Sequence, residues 1–461
     1  MKKIILVLIS SVFLSQLAFS QAITEKEMQK IRTAYNSNDR ETKAITNAVC
    51  NNDIRKLALN NENKAALDFY FSDKVKTKGI TNQESSGRCW LFASFNVMRP
   101  KVIEKYNLSN FEFSYNYSFF WDQFEKANLY LEAIIASTDK ENSDKTVEWL
   151  LKHPINDGGV WNGFVNVAEK YGLVPAEIMP ETHNSNNTKW VSTLVGRKLR
   201  EAALTIREMA ANKKKNNEIR DYKVQILGEI YRILAINFGE PPSSFEWRYE
   251  DAEGKISETK EYTPQSFYQE FIEVNLSDYI MLMNDPSREY YKLYEIEHDR
   301  NVYEGTNWRY INLPNEEIKK FAIASIKDNE ALYFSCDVGK QLNSDKGLLD
   351  INNYDYESLF GVKFSMDKKQ RIQSFESGSS HGMTLVAVDL DNEEKPTKWL
   401  LENSWGMKGF KGHLVMTDQW FDEYMFRVVV NKKYIPDNIL KILEQKAIML
   451  PPWDPMFAPE E

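Results

Sequence analysis

Cysteine is scarce in this chain: only Cys50, Cys89 and Cys336 occur in 461 residues. Three is an odd number, which excludes a fully paired disulfide framework and leaves at least one thiol free or bridged to another chain. Cys50 and Cys336 are expected to be small buried hydrophobes rather than a bridge or metal ligands. Basic runs are scarce too. The formal net charge is −9, and no stretch richer than Lys213-Lys214-Lys215 stands out. A nucleic-acid binder needs a positive stripe to neutralise phosphates, so that class is excluded. Internal repeats and low-complexity tracts are lacking. Beyond the N-terminus no segment is apolar enough to span a bilayer. Nothing calls for a metal or another cofactor.

What is present suits a large folded protein. Hydrophobic residues make up 42% and aromatics 13%, enough for a substantial core, and the 27% charged fraction is interspersed rather than segregated. The length suggests two to three domains. Lys2 and Lys3, the apolar run from Ile4 to Phe19 and the small residues around Ser20 read as a secretory signal, with cleavage expected after Ser20. An uncleaved membrane anchor is the competing expectation. Removal of residues 1–20 takes away two lysines and no acid. The mature chain is then expected to be exported, to the periplasm or the medium, without stable membrane association.

Along the chain, the pattern predicts helices over Glu25 to Tyr35, Asp53 to Phe71, Cys89 to Met98, Phe111 to Ala136 and Gly163 to Tyr171. Pro100 should limit or kink the third of these. Asn156-Asp157-Gly158-Gly159 is a turn signal. Long charged amphipathic helices follow, over Arg197 to Ala211 and Ile219 to Ile236. After a mixed region, Ala331 to Cys336, Met383 to Leu390, Lys398 to Leu401 and Gly412 to Met416 are short β-prone runs. Helices first and strands last point to an α+β protein with two unlike halves and a cleft between them.

Five histidines could serve as a base: His153, His183, His298, His381 and His413. A thiol needs such a base to become a thiolate near neutrality, and the base needs an orienting partner. Cys89 opens a helix, where the positive end of the dipole favours the thiolate. His381 opens one strand-like run and Asn403 ends the next, so antiparallel pairing would bring them together. His413 is the rival base. His153, His183 and His298 read as ordinary polar residues.

Gln83, Ser86-Gly87-Arg88-Cys89-Trp90, His381 and Asn403-Ser404-Trp405-Gly406 together resemble the papain superfamily of cysteine peptidases. Within it, Asn82 to Ala93, Asn156-Asp157-Gly158-Gly159, Cys336-Asp337-Val338-Gly339-Lys340 and Trp453-Asp454-Pro455-Met456 are most similar to the bleomycin hydrolase and aminopeptidase C group. The resemblance runs from about residue 65 to the end. It implies a papain-like two-lobed α+β fold, a helical lobe plus an antiparallel β-barrel-like lobe, with a large helical insertion. The implied divisions are a signal peptide over 1–20, an N-terminal segment and nucleophile-bearing helical lobe over 21–184, and a helical, oligomerisation-prone insertion over 185–320. A β-rich lobe over 321–450 would carry the histidine and asparagine, and a C-terminal arm would span 451–461.

The resemblance also implies roles. Cys89 attacks the peptide carbonyl, His381 takes its proton and Asn403 orients the imidazole. Gln83 and the Cys89 N–H hold the oxyanion, and Trp405 shields the His381–Asn403 bond. Gly158 and Gly159 let substrate backbone approach closely. The family is mostly hexameric, and its arm places a terminal carboxylate, here Glu461, against the amine of a peptide substrate, which makes an aminopeptidase. Two other readings stand beside it: a papain-like endopeptidase with an idle arm, and a catalytically silent oligomeric peptide-binding protein.

The chain departs from the pattern in several places. Ser86 and Asn156 occupy both ends of a disulfide common in papain-like enzymes. His381 lies far beyond the usual spacing of about 130–150 residues from the nucleophile. Gly382 replaces a usual alanine. Phe457 and Pro459 make the end of the arm bulkier and stiffer than the family norm.

Overall fold

The computed structural model describes residues 22–35, 37, 39–65 and 68–457. The expected signal sequence and Glu461 lie outside them. The described chain divides into two units. One holds the residues up to Leu59 together with Tyr354–Lys363. Its helices Glu25–Tyr35, Arg40–Asn51 and Ile54–Leu57 start on side-chain caps where acids allow it: Asp39 accepts from the Thr42 N–H and Asp53 from the Lys56 N–H. Cys50 is exposed on the second helix, so the expectation that it is a buried hydrophobe fails. The helix expected over Asp53 to Phe71 stops at Leu57. Asn60 and Asn63 turn their side chains onto the N–H groups two residues ahead, and such Asx turns compete with helix.

The other unit, residues 60–353 and 364 onward, carries the cleft. Its helical layer is built on Cys89–Lys105, Tyr115–Ala136, Trp161–Tyr171, Lys189–Ala211 and Asn216–Phe238. The first of these is buried nearly all round, from Trp90 and Leu91 to Val102 and Ile103, which explains an apolar sequence without an amphipathic stripe. Pro100 does not end it. Neighbours Arg99, Val102 and Ile103 are buried on every side, and that packing outweighs the roughly 3 kcal/mol a mid-helix proline costs. Ser114 sets the start of the next helix by accepting from the Tyr117 N–H at 3.0 Å.

The strands form one open, mixed sheet. In order across it run Ile448–Leu450, Lys292–Ile296, Arg309–Asn312, Tyr279–Met283, Met425–Asn431, Leu332–Cys336, His381–Leu390, Pro396–Glu402, His413–Thr417, Leu348–Leu349 and Leu342–Asn343. Asp73–Lys74 adds to the His381 strand. No pairing closes this path into a barrel among the described residues. In the 185–320 stretch the long helices stop at Phe238; after it come only the short helical turns Pro264–Ser266, Phe267–Ile272 and Leu276–Asp278 until the helix Asn315–Lys327 begins. Three later segments, starting at Tyr279, Lys292 and Arg309, are strands of the main sheet, and Tyr279–Met283 pairs with Met425–Asn431.

The helix that begins at Cys89 lies on the centre of the sheet. Thr384 donates its hydroxyl to the Ala93 carbonyl at 3.2 Å, and a Cβ on Gly382 would meet the Trp90 Cα at 3.3 Å. That close approach sets where the thiol and the histidine can meet.

Candidate active site

Residues 83–88 form a loop whose polar groups satisfy one another. Gln83 donates its backbone N–H to the Ser404 carbonyl at 2.8 Å. Its amide oxygen accepts from Ser404 Oγ at 2.6 Å, and its amide nitrogen donates to the Ser86 carbonyl at 2.6 Å. The amide is thus oriented, its nitrogen has a second N–H beyond the one given to Ser86, and Gln83 lines the cleft. Ser86 Oγ donates to the Gln83 carbonyl at 2.6 Å and accepts from Arg88 Nε at 2.9 Å. Arg88 is fully buried, and its Nη1 donates to both Glu181 carboxylate oxygens at 2.9 and 3.0 Å. Behind the loop, Asp157 accepts from Thr188 and Ser192, while its backbone carbonyl accepts from Trp90 Nε1 at 2.9 Å. A Cβ on Gly87 would stand 2.6 Å from the Asp157 Cβ. Where papain-like enzymes commonly carry a disulfide, close packing and charge-assisted hydrogen bonds hold this loop.

Cys89 is the first residue of its helix, and its Sγ accepts from the Gly382 N–H at 3.5 Å. His381 is the adjacent residue in the strand. Its Nε2 lies 2.9 Å from Asn403 Oδ1, so Nε2 carries the proton in that bond and Nδ1 is left to exchange a proton with the thiol. Asn403 is fully buried, and its Oδ1 also accepts from the Ser404 N–H at 2.8 Å. Trp405 packs on the imidazole with ring centres 4.8 Å apart, and Gly406, at φ +62°, turns the chain back toward Asn82. One strand residue earlier, Glu402 pairs with Arg99 at 2.8 Å, both side chains being 1% exposed. Burial pushes the Glu402 carboxyl up to about 7. This pair ties the nucleophile helix to the strand that delivers Asn403. His413 lies elsewhere, edge-on to Phe69 with Nδ1 3.0 Å from the Lys411 carbonyl.

Gln83, Cys89, Gly158, Gly159, His381 and Gly382 line one cleft of about 510 Å³. The two glycines differ. A Cβ on Gly159 would strike the Trp90 ring at 2.6 Å, whereas at Gly158 the nearest atom is Asn156 Oδ1 at 3.6 Å. Close packing onto Trp90 therefore demands Gly159, while at Gly158 a Cβ would make only an ordinary contact. Lys126 Nζ fixes this segment by donating to the Gly158 and Asn156 carbonyls at 2.5 and 3.2 Å while paired with Asp122 at 2.8 Å.

The rest of the cleft comes from residues that sequence reasoning missed. Asp299, Trp308 and Arg427 line it, as do His153 and His298, which were expected to be ordinary polar residues. Both histidines sit against Trp149, and burial lowers their pKa values. The chain end also enters. Ile448–Leu450 pairs with Lys292–Ile296, Asp454 is held by Arg288, and Arg427 donates to the Met456 carbonyl at 3.3 Å. Phe457 packs edge-on to Trp308. Pro452, Met456 and Phe457 line the same cleft as Cys89. No local pattern marks these positions, since each belongs to a different segment.

Comparison with known proteins places this geometry. The Peptidase C1-like family matches residues 22–457. Aminopeptidase C of Lactobacillus delbrueckii subsp. lactis is 39% identical over 418 residues, covering 89% of this chain and 93% of its own. Bleomycin hydrolase of Mus musculus is 42% identical over 391 residues, covering 83% and 86%. The crystal structure of PepW from Lactobacillus rhamnosis HN001 superposes with a TM-score of 0.91 at 38% identity, covering 95% of this chain and 99% of that one.

Proposed function

This chain belongs to the Peptidase C1-like family, and we propose that it is a cysteine aminopeptidase trimming short peptides through an acyl-enzyme on Cys89. The observation that carries this is the junction of strand and helix: the Gly382 N–H reaches Cys89 Sγ at 3.5 Å, and the neighbouring His381 is held by Asn403 at 2.9 Å. In the first half-reaction, His381 Nδ1 accepts the thiol proton and the thiolate attacks the scissile carbonyl carbon. The oxyanion forms beside the free N–H of the Gln83 amide and the backbone N–H of Cys89, the first of its helix. Collapse breaks the C–N bond, and the imidazolium returns its proton to the leaving amine. Water, deprotonated by His381, then hydrolyses the thioester and restores the thiol. Throughout, the Asn403 bond keeps the imidazole in the Nε2–H tautomer.

The arm is the proposed ruler that makes the enzyme an exopeptidase. Met456 and Phe457 already line the cleft, and the remaining residues to Glu461 would bring a terminal carboxylate toward the substrate amine. Export directed by residues 1–20 and assembly into a homo-oligomer belong to the same proposal. They are supported by the charged-then-apolar N-terminus and by the resemblance to a mostly hexameric group.

Mass spectrometry of the products from a defined peptide tests the activity. Stepwise removal from the N-terminus, lost in Cys89→Ala together with stoichiometric labelling by an epoxysuccinyl inhibitor, is the expected result. Internal cleavage of N-acetylated peptides at equal efficiency would instead favour the endopeptidase. Deletion of residues 457–461 should shift the balance toward internal cleavage.

A further inference from the structure

A second pocket, of about 160 Å³, opens in the larger unit and shares no lining residue with the cleft. Four asparagines line it, Asn60, Asn63, Asn343 and Asn353, together with Lys346. No acid lines it among the described residues. Two of the asparagines are spent on the frame. Asn63 Oδ1 accepts from the Ala65 N–H at 2.9 Å, and its Nδ2 donates to Asp350 Oδ1 and to Asn353 Oδ1, both at 3.1 Å. Asn353 Nδ2 donates to the Gln341 and Leu348 carbonyls at 2.6 and 2.8 Å. Asp350 Oδ1 also accepts from the Asn352 N–H at 2.8 Å, so that carboxylate is tied into the same frame.

Asn60 and Asn343 are only half used. Asn60 Oδ1 accepts from the Glu62 N–H at 2.9 Å, and Asn343 Oδ1 accepts from the Lys346 N–H at 3.2 Å. These bonds fix which end of each amide is the oxygen. The two NH₂ ends have no partner among the described residues. Asn343 is 6% exposed, and a buried amide nitrogen without an acceptor is uncommon, because it forfeits its bonds to water. The Lys346 ammonium is exposed and forms no ion pair among the described residues.

The wall thus offers donors and one positive charge, while its acceptors are already committed. A hard cation needs oxygen ligands and would meet N–H groups instead. An apolar ligand would leave the donors unmet. The complement is a compact anion with several acceptor oxygens, bound by charge-assisted hydrogen bonds. The volume is about ten times the roughly 15 Å³ that one water needs, and it falls short of the roughly 300 Å³ at which pockets for larger ligands begin.

We propose that this pocket binds a small oxyanion, phosphate- or carboxylate-like, through the Asn60 and Asn343 amide nitrogens and the Lys346 ammonium. It is independent of the peptidase reading. Asn60 and the Asn343–Lys346 turn come from segments far apart in the chain, so an anion held between them cross-links the folded state and is read as stability.

Thermal unfolding of the full-length protein is followed in inorganic phosphate, acetate and chloride at matched ionic strength, and binding is titrated by calorimetry. The expected result is saturable one-to-one binding of phosphate or acetate. The midpoint should rise by about 2 °C at ten times Kd, with no rise in chloride. Asn343→Asp keeps the oxygen that accepts from the Lys346 N–H and replaces the free NH₂ with a negative oxygen, so it should abolish binding. Lys346→Ala, at an exposed position, should weaken it about tenfold. Peptide hydrolysis at the wild-type rate certifies the fold of both variants. Tighter phosphate binding assigns a free inorganic oxyanion, and tighter acetate binding assigns a carboxylate ligand. An equal rise in chloride, undiminished affinity in both variants, or no saturable binding of either anion would overturn the site.

Discussion

At the Cys89 end of the cleft almost every polar group is answered by another: Gln83 by Ser86 and Ser404, Arg88 by Ser86 and Glu181, His381 by Asn403. Elsewhere in the same cleft the Asp299 backbone is equally well tied, yet its carboxyl meets no donor among the described residues. The first arrangement suits chemistry, since donors fixed in advance need no reorganisation when charge develops. The second is an acid fixed through its backbone whose partly exposed carboxyl is left to solvent. One cleft thus holds a tightly tied loop around Cys89 and an acid without a structural partner among the described residues.

The comparison is broken most forcefully at Glu181. Replacing it with alanine leaves the Arg88 guanidinium buried with only Ser86 Oγ at 2.9 Å and Asn186 Oδ1 at 3.4 Å. Loss of one partner of such a pair costs about 3–5 kcal/mol, read as a lower midpoint in urea unfolding. A wild-type midpoint would mean that the network around the nucleophile loop does not hold it. Gln83→Ala is next. It removes one oxyanion donor, so kcat should fall about 10²- to 10³-fold, corresponding to about 2.7–4 kcal/mol, with the fold intact. A change confined to KM would relegate Gln83 to substrate binding.

The adjacent glycines sharpen the same contrast at smaller scale. Gly159→Ala drives a Cβ into Trp90 at 2.6 Å and should cost about 1–3 kcal/mol of stability through overpacking. Gly158→Ala meets nothing closer than 3.6 Å, so its stability should stay within about 0.5 kcal/mol of wild type. Equal losses at both positions would erase the distinction between a packing glycine and one where a Cβ makes only an ordinary contact.

Legibility in the sequence follows the same division. The Gln83–Trp90 string is contiguous, His381 opens one strand and Asn403 directly follows the end of the next, the two paired Thr384 to Glu402, so local patterns were enough to connect them. The start of the helix at Cys89 was equally plain. Other features depend on tertiary context. Tyr279–Met283 reads YIMLM, an apolar run without alternation, and becomes a strand because Arg309–Asn312 and Met425–Asn431 flank it. Pro100 survives mid-helix because its surroundings are packed. Asp299 sits in an unremarkable acidic and basic stretch, and its isolation appears only once Trp308, Arg427 and the chain end are folded round it. An expectation built on a local rule failed where long-range packing overrode the rule.

The unpaired carboxyl of Asp299 also leaves a mark on stability. Its folded pKa of about 6 lies above the ordinary value of 3.8, so between about pH 4 and 6 the folded state keeps a proton that the unfolded state has lost. Stability is therefore greatest below pH 4 on this account and falls as pH rises through 6. Arg427 and Lys126 oppose the shift without cancelling it. Asp299→Asn removes the titration. At pH 4 variant and wild type should unfold at similar temperatures. At pH 7 the variant should be the more stable, by at most about 3 kcal/mol for a shift of about two pKa units at about 1.4 kcal/mol each, and by less because water screens the partly exposed carboxyl. Parallel stability curves from pH 4 to 8 would show that Asp299 is already paired in the folded protein. The difference between the Cys89 loop and Asp299 would then disappear.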